Sequence, residues 1–236
     1  MRHLFTRARR LVAGRRGGDP DAELRWWLEV WNPIIEAGGF FPGDVASFLD
    51  EGEEAAPTYE GRRWQIARAE VLRMLDDAAI EDPDFFRGKT VVDIGPGPMG
   101  FPDACPAGVR IGIEPLAQRF DDLGLLLASD AIYLPVMAEN MPLLASSVDV
   151  VLSRNSLDHV TDPRAVVEET MRVLRPGGTF ILNVDVEHRA TATEPHAFTV
   201  DHIRALLARM EISFETVIDH SHGGEGRMLV AVARMP

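Results

Sequence analysis

The segment "VVDIGPGPMG", residues 91–100, places small apolar residues and one acid, Asp93, directly before a loop of glycine and proline. A short β-branched run is typical of a buried strand, and glycines leave the following backbone uncovered by side chains. Gly95, Gly97 and Gly100 fit the pattern G-x-G-x-x-G, which by itself is weak evidence for a nucleotide site. The segment therefore predicts a strand that leads into a ligand-binding loop.

Beyond Lys89, short β-branched runs alternate with helical stretches. This alternation predicts βαβ units, and hence an α/β fold with a doubly wound, mostly parallel sheet and helices on both faces. The last two runs are joined by "HSHGGEG", which is too short for a crossover helix, so one terminal strand should be antiparallel. The seven runs that we interpret as strands are TVVDIG, VRIGIEP, AIYLPVM, SVDVVLSR, GTFILNVD, FETVID and MLVAVAR.

The sequence divides into three segments. Residues 1–18 are rich in arginine and contain no acid, which predicts a basic, flexible head. Residues 19–80 combine tryptophans and acids in "LRWWLEVW" and then show helical spacing of apolar residues from Glu60 to Ile80, which predicts an N-terminal helical cap or lid. Residues 81–236 are predicted to form the α/β domain.

Charge and cysteine content narrow the classes of function. The formal net charge is -13, which disfavours nucleic acid as a partner of the body of the protein. The basic head could contact an anionic membrane surface, but its apolar stretch is too short for a signal peptide or a membrane span, so we expect a cytoplasmic protein. The single cysteine, Cys105, excludes a disulfide framework and a cysteine-based zinc cluster.

The sequence after the glycine loop argues against a dinucleotide. A pyrophosphate would need a helix that opens at Gly100, but Pro102 and Pro106 follow before the next strand. Glu114 ends "VRIGIEP", at the spacing from Asp93 at which a carboxylate accepts hydrogen bonds from ribose hydroxyls. A nucleoside cofactor is predicted, and a Glu114 that merely caps a strand end is the alternative.

Ordered motifs between Lys89 and Asp185 resemble the class I S-adenosylmethionine-dependent methyltransferases, in particular the methyltransferase type 11 group. "VVDIGPGPMG" and "GIEP" are similar to the first two cofactor motifs of that family, and "ETMRVLRPGGTFILNVD" is similar to its helix, turn and fifth strand. The resemblance implies a Rossmann-like methyltransferase fold and S-adenosylmethionine as the cofactor. The cofactor-binding residues that it implies are Asp93, Gly95, Gly97, Glu114, Ala138, Glu139 and Asn155.

The segment "RNSLDHV" holds the catalytic candidates. We expect His159 to act as a base, with Asp158 beside it, because a neutral imidazole is available near physiological pH; a packed, hydrogen-bonded His159 is the alternative. The segment also resembles the E-x-x-E-H arrangement with which ubiquinone-biosynthesis O-methyltransferases hold a divalent cation. That resemblance implies Asp158 and His159 as ligands of Mg²⁺ or Mn²⁺, with Asn155 in place of the first acid.

The stretch "VEHRATATEPHAFT", residues 186–199, follows the fifth strand, so we expect Glu194 and His196 to line the acceptor pocket. A turn before a helix capped by Thr199 is the alternative. The polar rim favours a small polar acceptor, methylated at an oxygen of a sugar or natural-product hydroxyl. An N-methyltransferase, a nucleotide-binding dehydrogenase and a noncatalytic protein of the same fold are the alternatives, and a homodimer is a further expectation.

Overall fold

The computed structural model describes residues 18–31, 33, 56–99, 101–126, 130–219 and 227–236. The basic head predicted for residues 1–18 lies outside these ranges except for Gly18, as do Gly100 and the link "HSHGGEG". None of the described helices is long and apolar enough to cross a membrane.

The described strands form one sheet of seven in the order β3-β2-β1-β4-β5-β7-β6. Neighbouring strands from β3 to β5 run parallel, and β7 is antiparallel to both β5 and β6. The predicted doubly wound, mostly parallel sheet is confirmed, including its antiparallel terminal strand. The strands are β1 (Thr90–Ile94), β2 (Val109–Ile113), β3 (Ile132–Leu134), β4 (Val148–Arg154), β5 (Leu174–Val186), β6 (Glu211–Asp219) and β7 (Arg227–Arg234).

Side-chain caps fix where several helices begin. Thr58, Asp162 and Thr199 each accept a hydrogen bond from a backbone N–H in the first turn, which satisfies a donor that the helix leaves unpaired. The described α-helices are α1 (Pro20–Trp26), α2 (Tyr59–Asp77), α3 (Phe101–Ala104), α4 (Ala117–Asp122), α5 (Pro163–Val173) and α6 (Val200–Leu206), and a π-helical turn, Trp27–Trp31, extends α1.

The sheet is covered on both faces. One core contains buried residues of α5 and α6, and the other contains buried residues of α2, such as Val71 and Met74, packed with Val150 and Ile181 of the sheet. α2, which lies within the predicted cap of residues 19–80, therefore packs directly on the sheet. The division of the chain into a cap and an α/β domain stays a prediction.

The helix after β1 is very short. α3 has 4 residues, as the prolines of this stretch led us to expect. β1 lies between β2 and β4, so the strand order reverses at its carboxyl end. Ligands of doubly wound sheets bind in the crevice outside such a reversal, which places the candidate site at the loop after Ile94.

Candidate functional site

A cavity of about 430 Å³ lies over the carboxyl ends of β1, β2 and β4. This volume is within the range that small-molecule sites occupy. The cavity brings together most of the predicted site residues, which come from the ends of five strands, β1 to β5, and the loops that follow them. Those that line it are Asp93, Gly95, Gly97, Glu114, Ala138, Glu139, Asn155, His159 and Glu194.

The two glycines after β1 are required by both conformation and space. Gly95 and Gly97 have φ angles of 66° and 58°, in the left-handed region that favours glycine. A Cβ atom on Gly95 would lie 2.7 Å from Cβ of Ser156, and one on Gly97 would lie 2.5 Å from the ring of Trp27. Gly97 therefore faces the cavity, and the absence of a side chain there also leaves room for the ring of Trp27.

Asp93 is 2% exposed at the floor of the cavity. Its Oδ1 has no hydrogen-bond partner among the described residues. Burial, together with the charge of Glu114, raises the pKa of Asp93 well above its usual range. A cationic or hydrogen-bond-donating ligand group would satisfy this carboxyl.

Glu114 follows β2 and joins the glycine loop to the next turn. Its Oε2 accepts a hydrogen bond from the backbone N–H of Gly97 at 3.1 Å, and its Oε1 accepts one from Leu116 at 2.8 Å. Burial raises the pKa of Glu114 to about 7, although both backbone bonds act to lower it. Each oxygen keeps a further lone pair, so the carboxylate can also accept from ribose hydroxyls.

On the predicted adenine side, Glu139 lines the cavity and also bonds the backbone of another loop. Ala138 is buried in a single 3₁₀ turn, while Oε1 of Glu139 accepts hydrogen bonds from the backbone N–H groups of Thr161 at 2.8 Å and Asp162 at 3.1 Å. Glu139 thus ties its loop to the start of α5. Its Oε2 has no partner within the described part of the chain and is the atom left for a ligand.

Asn155 and Ser156 shape the end of β4. Asn155 has a φ of 45°, and in the amide orientation that satisfies both of its polar atoms it donates to the two oxygens of Asp185, each at 3.3 Å. The hydroxyl of Ser156 donates to the carbonyl of Ile94 at 2.7 Å, which holds the β4 loop against β1. Asn155 therefore lines the cavity, and its side-chain amide is already hydrogen-bonded to Asp185.

His159 lies between carboxyl groups. Its Nδ1 is 3.4 Å from Oε2 of Glu23, and its Nε2 is 3.9 Å from Oδ1 of Asp158. Burial acts to lower the pKa of His159, but the hydrogen bond to Glu23 and the charges of Asp158, Glu23 and Glu194 together raise it to about 9. The imidazole is therefore mainly protonated at neutral pH, which differs from the neutral imidazole expected from the sequence.

Asp158 is fully buried behind His159. Burial raises the pKa of Asp158 to about 6, with the charge of His159 acting in the opposite direction. Its Oδ2 is 3.9 Å from Nε2 of His188, which is too far for a hydrogen bond. Because the cavity is lined by His159 and not by Asp158, Asp158 is placed to influence the imidazole rather than to touch an acceptor.

The expected metal arrangement is only partly present. Ligand atoms of Asp158, His159 and Glu194 lie within 4.8 Å of one another. Asn155, the third residue of the predicted arrangement, is bonded to Asp185 in this structure. Asp158, His159 and Glu194 together supply oxygen and imidazole donors of the kind that a Mg²⁺ or Mn²⁺ site uses, so the metal site stays a prediction.

The two predicted acceptor residues are separated in the structure. Glu194 lines the cavity, whereas Nε2 of His196 bonds the carbonyl of Val160 at 2.8 Å and its ring stacks on Phe198. His196 does not line the cavity in this structure, because its hydrogen bond turns the ring to the loop after β4. The alternative interpretation of this stretch was a turn before a helix capped by Thr199, and Thr199 does cap α6.

Several charged and aromatic residues of the cavity were missed by the sequence reasoning. Glu23 and Trp27 come from α1 and the turn that follows it, and Arg154 of β4 pairs with Glu70 of α2. Burial lowers the pKa of Arg154 to about 10, as expected for a cation held in a low-dielectric wall. In the sequence, only the cluster of tryptophans and acids around residue 27 pointed to Glu23 and Trp27. That cluster did not indicate which of its side chains face the site.

Comparison with known proteins finds sequence similarity to methyltransferases. Residues 112–182 match the family model described as a methyltransferase domain. The chain is 41% identical over 106 residues to an uncharacterized methyltransferase of Mycobacteroides abscessus, which covers 42% of this chain and 41% of that protein. The chain thus spans about two fifths of the length of the curated relatives that it matches.

Solved structures share the fold at low sequence identity. A SAM-dependent methyltransferase from Thermotoga maritima is 22% identical, with a TM-score of 0.54 over 75% of this chain and 95% of that chain. The [4+2]-cyclase SpnF is 14% identical, with a TM-score of 0.57 over 90% of this chain and 94% of that chain. The family match, the curated relatives and the fold together confirm that this chain resembles the class I S-adenosylmethionine-dependent methyltransferases.

Proposed function

We propose that the protein transfers a methyl group from S-adenosylmethionine to a hydroxyl oxygen of a small polar acceptor, such as a sugar or a natural product. One observation carries the proposal: a single cavity joins the glycine loop, the buried acids Asp93 and Glu114, and the polar rim at His159 and Glu194. The cofactor supplies an electrophilic methyl group on a positively charged sulfur. Every other requirement of the reaction falls on the residues of this cavity.

The cofactor would be held by backbone and carboxyl groups. Asp93 offers an unpartnered carboxyl oxygen to the ammonium group of the methionine part. Glu114 offers its free lone pairs to the ribose hydroxyls, and the turn at Ala138 borders the adenine. An excess of acids around this end of the cavity favours a ligand that carries positive charge.

The acceptor would lie beside His159 and Glu194. Displacement at a sulfonium carbon gains most from holding the attacking oxygen in line with the methyl group, so the rim residues act first by positioning. Removal of the hydroxyl proton requires a base, and His159 is our candidate. Since the pKa of His159 is raised to about 9, the fraction of neutral imidazole increases as the pH rises toward that value, and turnover should increase with it.

The experiment has two stages. Calorimetry with S-adenosylhomocysteine tests the cofactor site, with Asp93→Asn as the variant that should bind more weakly. Hydroxylated candidate acceptors are then incubated with S-adenosylmethionine and followed by mass spectrometry for a gain of one methyl group, with His159→Gln as the variant of reduced turnover. Absence of S-adenosylhomocysteine binding to the wild-type protein would rule out the proposal, and methylated amines in place of methylated hydroxyls would redirect it to N-methylation.

A further inference from the structure

One end of the cavity lies between α2 and the strands β4, β5 and β7, and we call it the Arg154 lobe. The described residues that line it are Glu70, Arg73, Asp77, Phe101, Arg154, Asn183 and Met228. Arg154 and Asn183 are neighbours in the sheet, because they pair in the register of β4 and β5. Glu114, in contrast, follows β2, and β1 separates β2 from β4. The lobe therefore extends away from the predicted nucleoside site.

The strand pattern of β4 brings Arg154 to this lobe. Alternate side chains of a strand share one face of the sheet, so Arg154 lies on the same face as Val150 and Leu152. Those two residues are buried in the core that α2 covers. Arg154 is the last residue of β4, so this row of side chains passes from the apolar core to a cation at the cavity wall.

Glu70 holds the guanidinium of Arg154 from behind. Nη2 of Arg154 donates to Oε2 of Glu70, and the guanidinium carbon lies 5.4 Å from the centre of the Phe101 ring. The side chain of Glu70 is 2% exposed, whereas that of Arg154 is 28% exposed and lines the cavity. Within the described residues, Glu70 is the hydrogen-bond partner of Arg154. The remaining N–H groups of the guanidinium are thus available to a ligand.

The charge of the Arg154 lobe differs from that of the rest of the cavity. Acids such as Asp93, Glu114 and Glu139 line the other parts, whereas the arginines among the described lining residues, Arg73 and Arg154, both lie in the lobe. Glu70 is shared between them, since its Oε1 is 3.6 Å from Nη1 of Arg73.

A second acid, Asp77, follows Arg73 by one turn of α2 and lines the same wall. Arg73 therefore has two acids near it on α2, and Arg154 has a share of one. Arg154 is the group of this lobe that is best placed to attract a negative charge.

We propose that Arg154 binds a carboxylate of the acceptor, so that the acceptor of the proposed function is a hydroxyl compound that also carries an acidic group. The planar fork of a guanidinium matches the two oxygens of a carboxylate, and Glu70 holds that fork in place before the ligand arrives. A buried ion pair adds little net stability, so stability alone does not account for this pair at a cavity wall. The inference rests on the proposed function for the identity of the ligand as the methyl acceptor.

The test measures binding by calorimetry to the full chain saturated with S-adenosylhomocysteine, which fills the cofactor site. Two hydroxy acids are each compared with their own primary amide. The pairs are glucuronate with glucuronamide, and para-hydroxybenzoate with para-hydroxybenzamide. The members of a pair carry the same hydroxyl groups and differ in the negative charge, so their difference in affinity reports on the anion.

Three variants locate the effect. Arg154→Gln removes the cation but leaves Glu70 buried without it. The double variant Glu70→Gln/Arg154→Gln removes both charges, so that no buried carboxylate is left without its cation if the single variant does not fold. Arg175→Gln is the matched control, because it breaks an ion pair with Asp149 that also joins β4 and β5 and does not line the cavity.

We expect the wild-type protein to bind at least one of the acids about 10- to 100-fold more tightly than its amide, as for a hydrogen bond to a charged group. The preference should fall to about twofold or less in the double variant and persist in Arg175→Gln. Lack of a preference for the acid in both pairs, including lack of binding, would overturn the proposal. A preference that persists in the double variant would also overturn it.

Titration of S-adenosylhomocysteine into the same variants separates the acceptor from the cofactor, which has a carboxylate of its own. Its affinity for the double variant should stay within about threefold of the wild-type value. A tenfold loss would assign Arg154 to the carboxylate of the cofactor and contradict the proposal. If the wild-type protein does not bind S-adenosylhomocysteine, the proposed function fails, while the acid preference of the ligand-free protein still decides whether Arg154 binds an anion.

Discussion

Replacement of Glu114 by glutamine tests the cofactor site through its charge. Burial raises the pKa of this carboxyl to about 7, so only about one tenth of it is ionised at pH 6 and about nine tenths at pH 8. If ribose hydroxyls bind the ionised form, wild-type affinity for S-adenosylhomocysteine should fall about tenfold from pH 8 to pH 6. Glu114→Gln should lose this dependence and, at pH 8, bind about 10- to 100-fold more weakly, the equivalent of a hydrogen bond to a charged group.

The same carboxyl should make the ligand-free protein less stable at higher pH. Its pKa is raised in the folded state, so the folded state binds more protons than the unfolded chain between about pH 4.5 and 7, and stability falls as the pH rises through this window. The distance between the two pKa values corresponds to roughly 3 kcal/mol. Glu114→Gln removes this loss of stability, because the amide does not ionise. It also loses one of the two hydrogen bonds that the carboxylate accepts from Gly97 and Leu116.

Calorimetry at pH 6, 7 and 8 and thermal unfolding at the same pH values measure both effects. The wild-type melting temperature should fall between pH 6 and pH 8 by more than that of Glu114→Gln, while wild-type affinity changes in the opposite direction. Two results would refute the reasoning. One is a wild-type affinity that is equal at pH 6 and pH 8, and the other is an unchanged affinity in Glu114→Gln.

Two further predictions concern the glycine loop and the metal. Gly97→Ala adds a Cβ 2.5 Å from the ring of Trp27, whereas Gly124→Ala has the same kind of backbone, with φ of 68°, and meets no described atom within 4 Å. Both variants should lose about 1 kcal/mol of stability from the left-handed backbone, which thermal unfolding measures. Only Gly97→Ala should also weaken the binding of S-adenosylhomocysteine, which calorimetry measures. Because Asn155 is bonded to Asp185 and only three donor atoms lie together around His159 among the described residues, treatment with a chelator should leave methyl transfer unchanged; activity that is lost and then restored by Mg²⁺ would contradict this prediction.

The sheet was predictable because its signals are local. Each strand of a mostly parallel sheet is a short apolar run, and the prolines after Gly100 indicated that the first helix would be short. The contacts that complete the site are not local. Neither the packing of Trp27 on Gly97 nor the approach of Glu23 to His159 leaves a periodic pattern, because each joins residues far apart in the chain.

The position of His196 also depends on contacts that are not local in the sequence. Its position after β5 correctly indicated the edge of the sheet, and Glu194 in the same stretch does line the cavity. Nearby backbone groups decide which of two neighbouring polar side chains faces a pocket. Here the carbonyl of Val160 forms a hydrogen bond with the imidazole of His196 and so holds that ring away from the cavity. The protonation of His159 was unpredictable for a similar reason, because it depends on carboxyl groups brought from separate segments.

The buried acids connect stability, cofactor choice and product release. Asp93 and Glu114 are raised in pKa chiefly by burial, so the ligand-free fold carries a cost that a cationic ligand can relieve. S-adenosylmethionine has a positive sulfur and S-adenosylhomocysteine does not, so ionisation of these carboxyls should favour the substrate form over the product form. Methyl transfer removes that charge within the cavity. The acids that attract the cofactor should therefore also weaken the hold on its demethylated product.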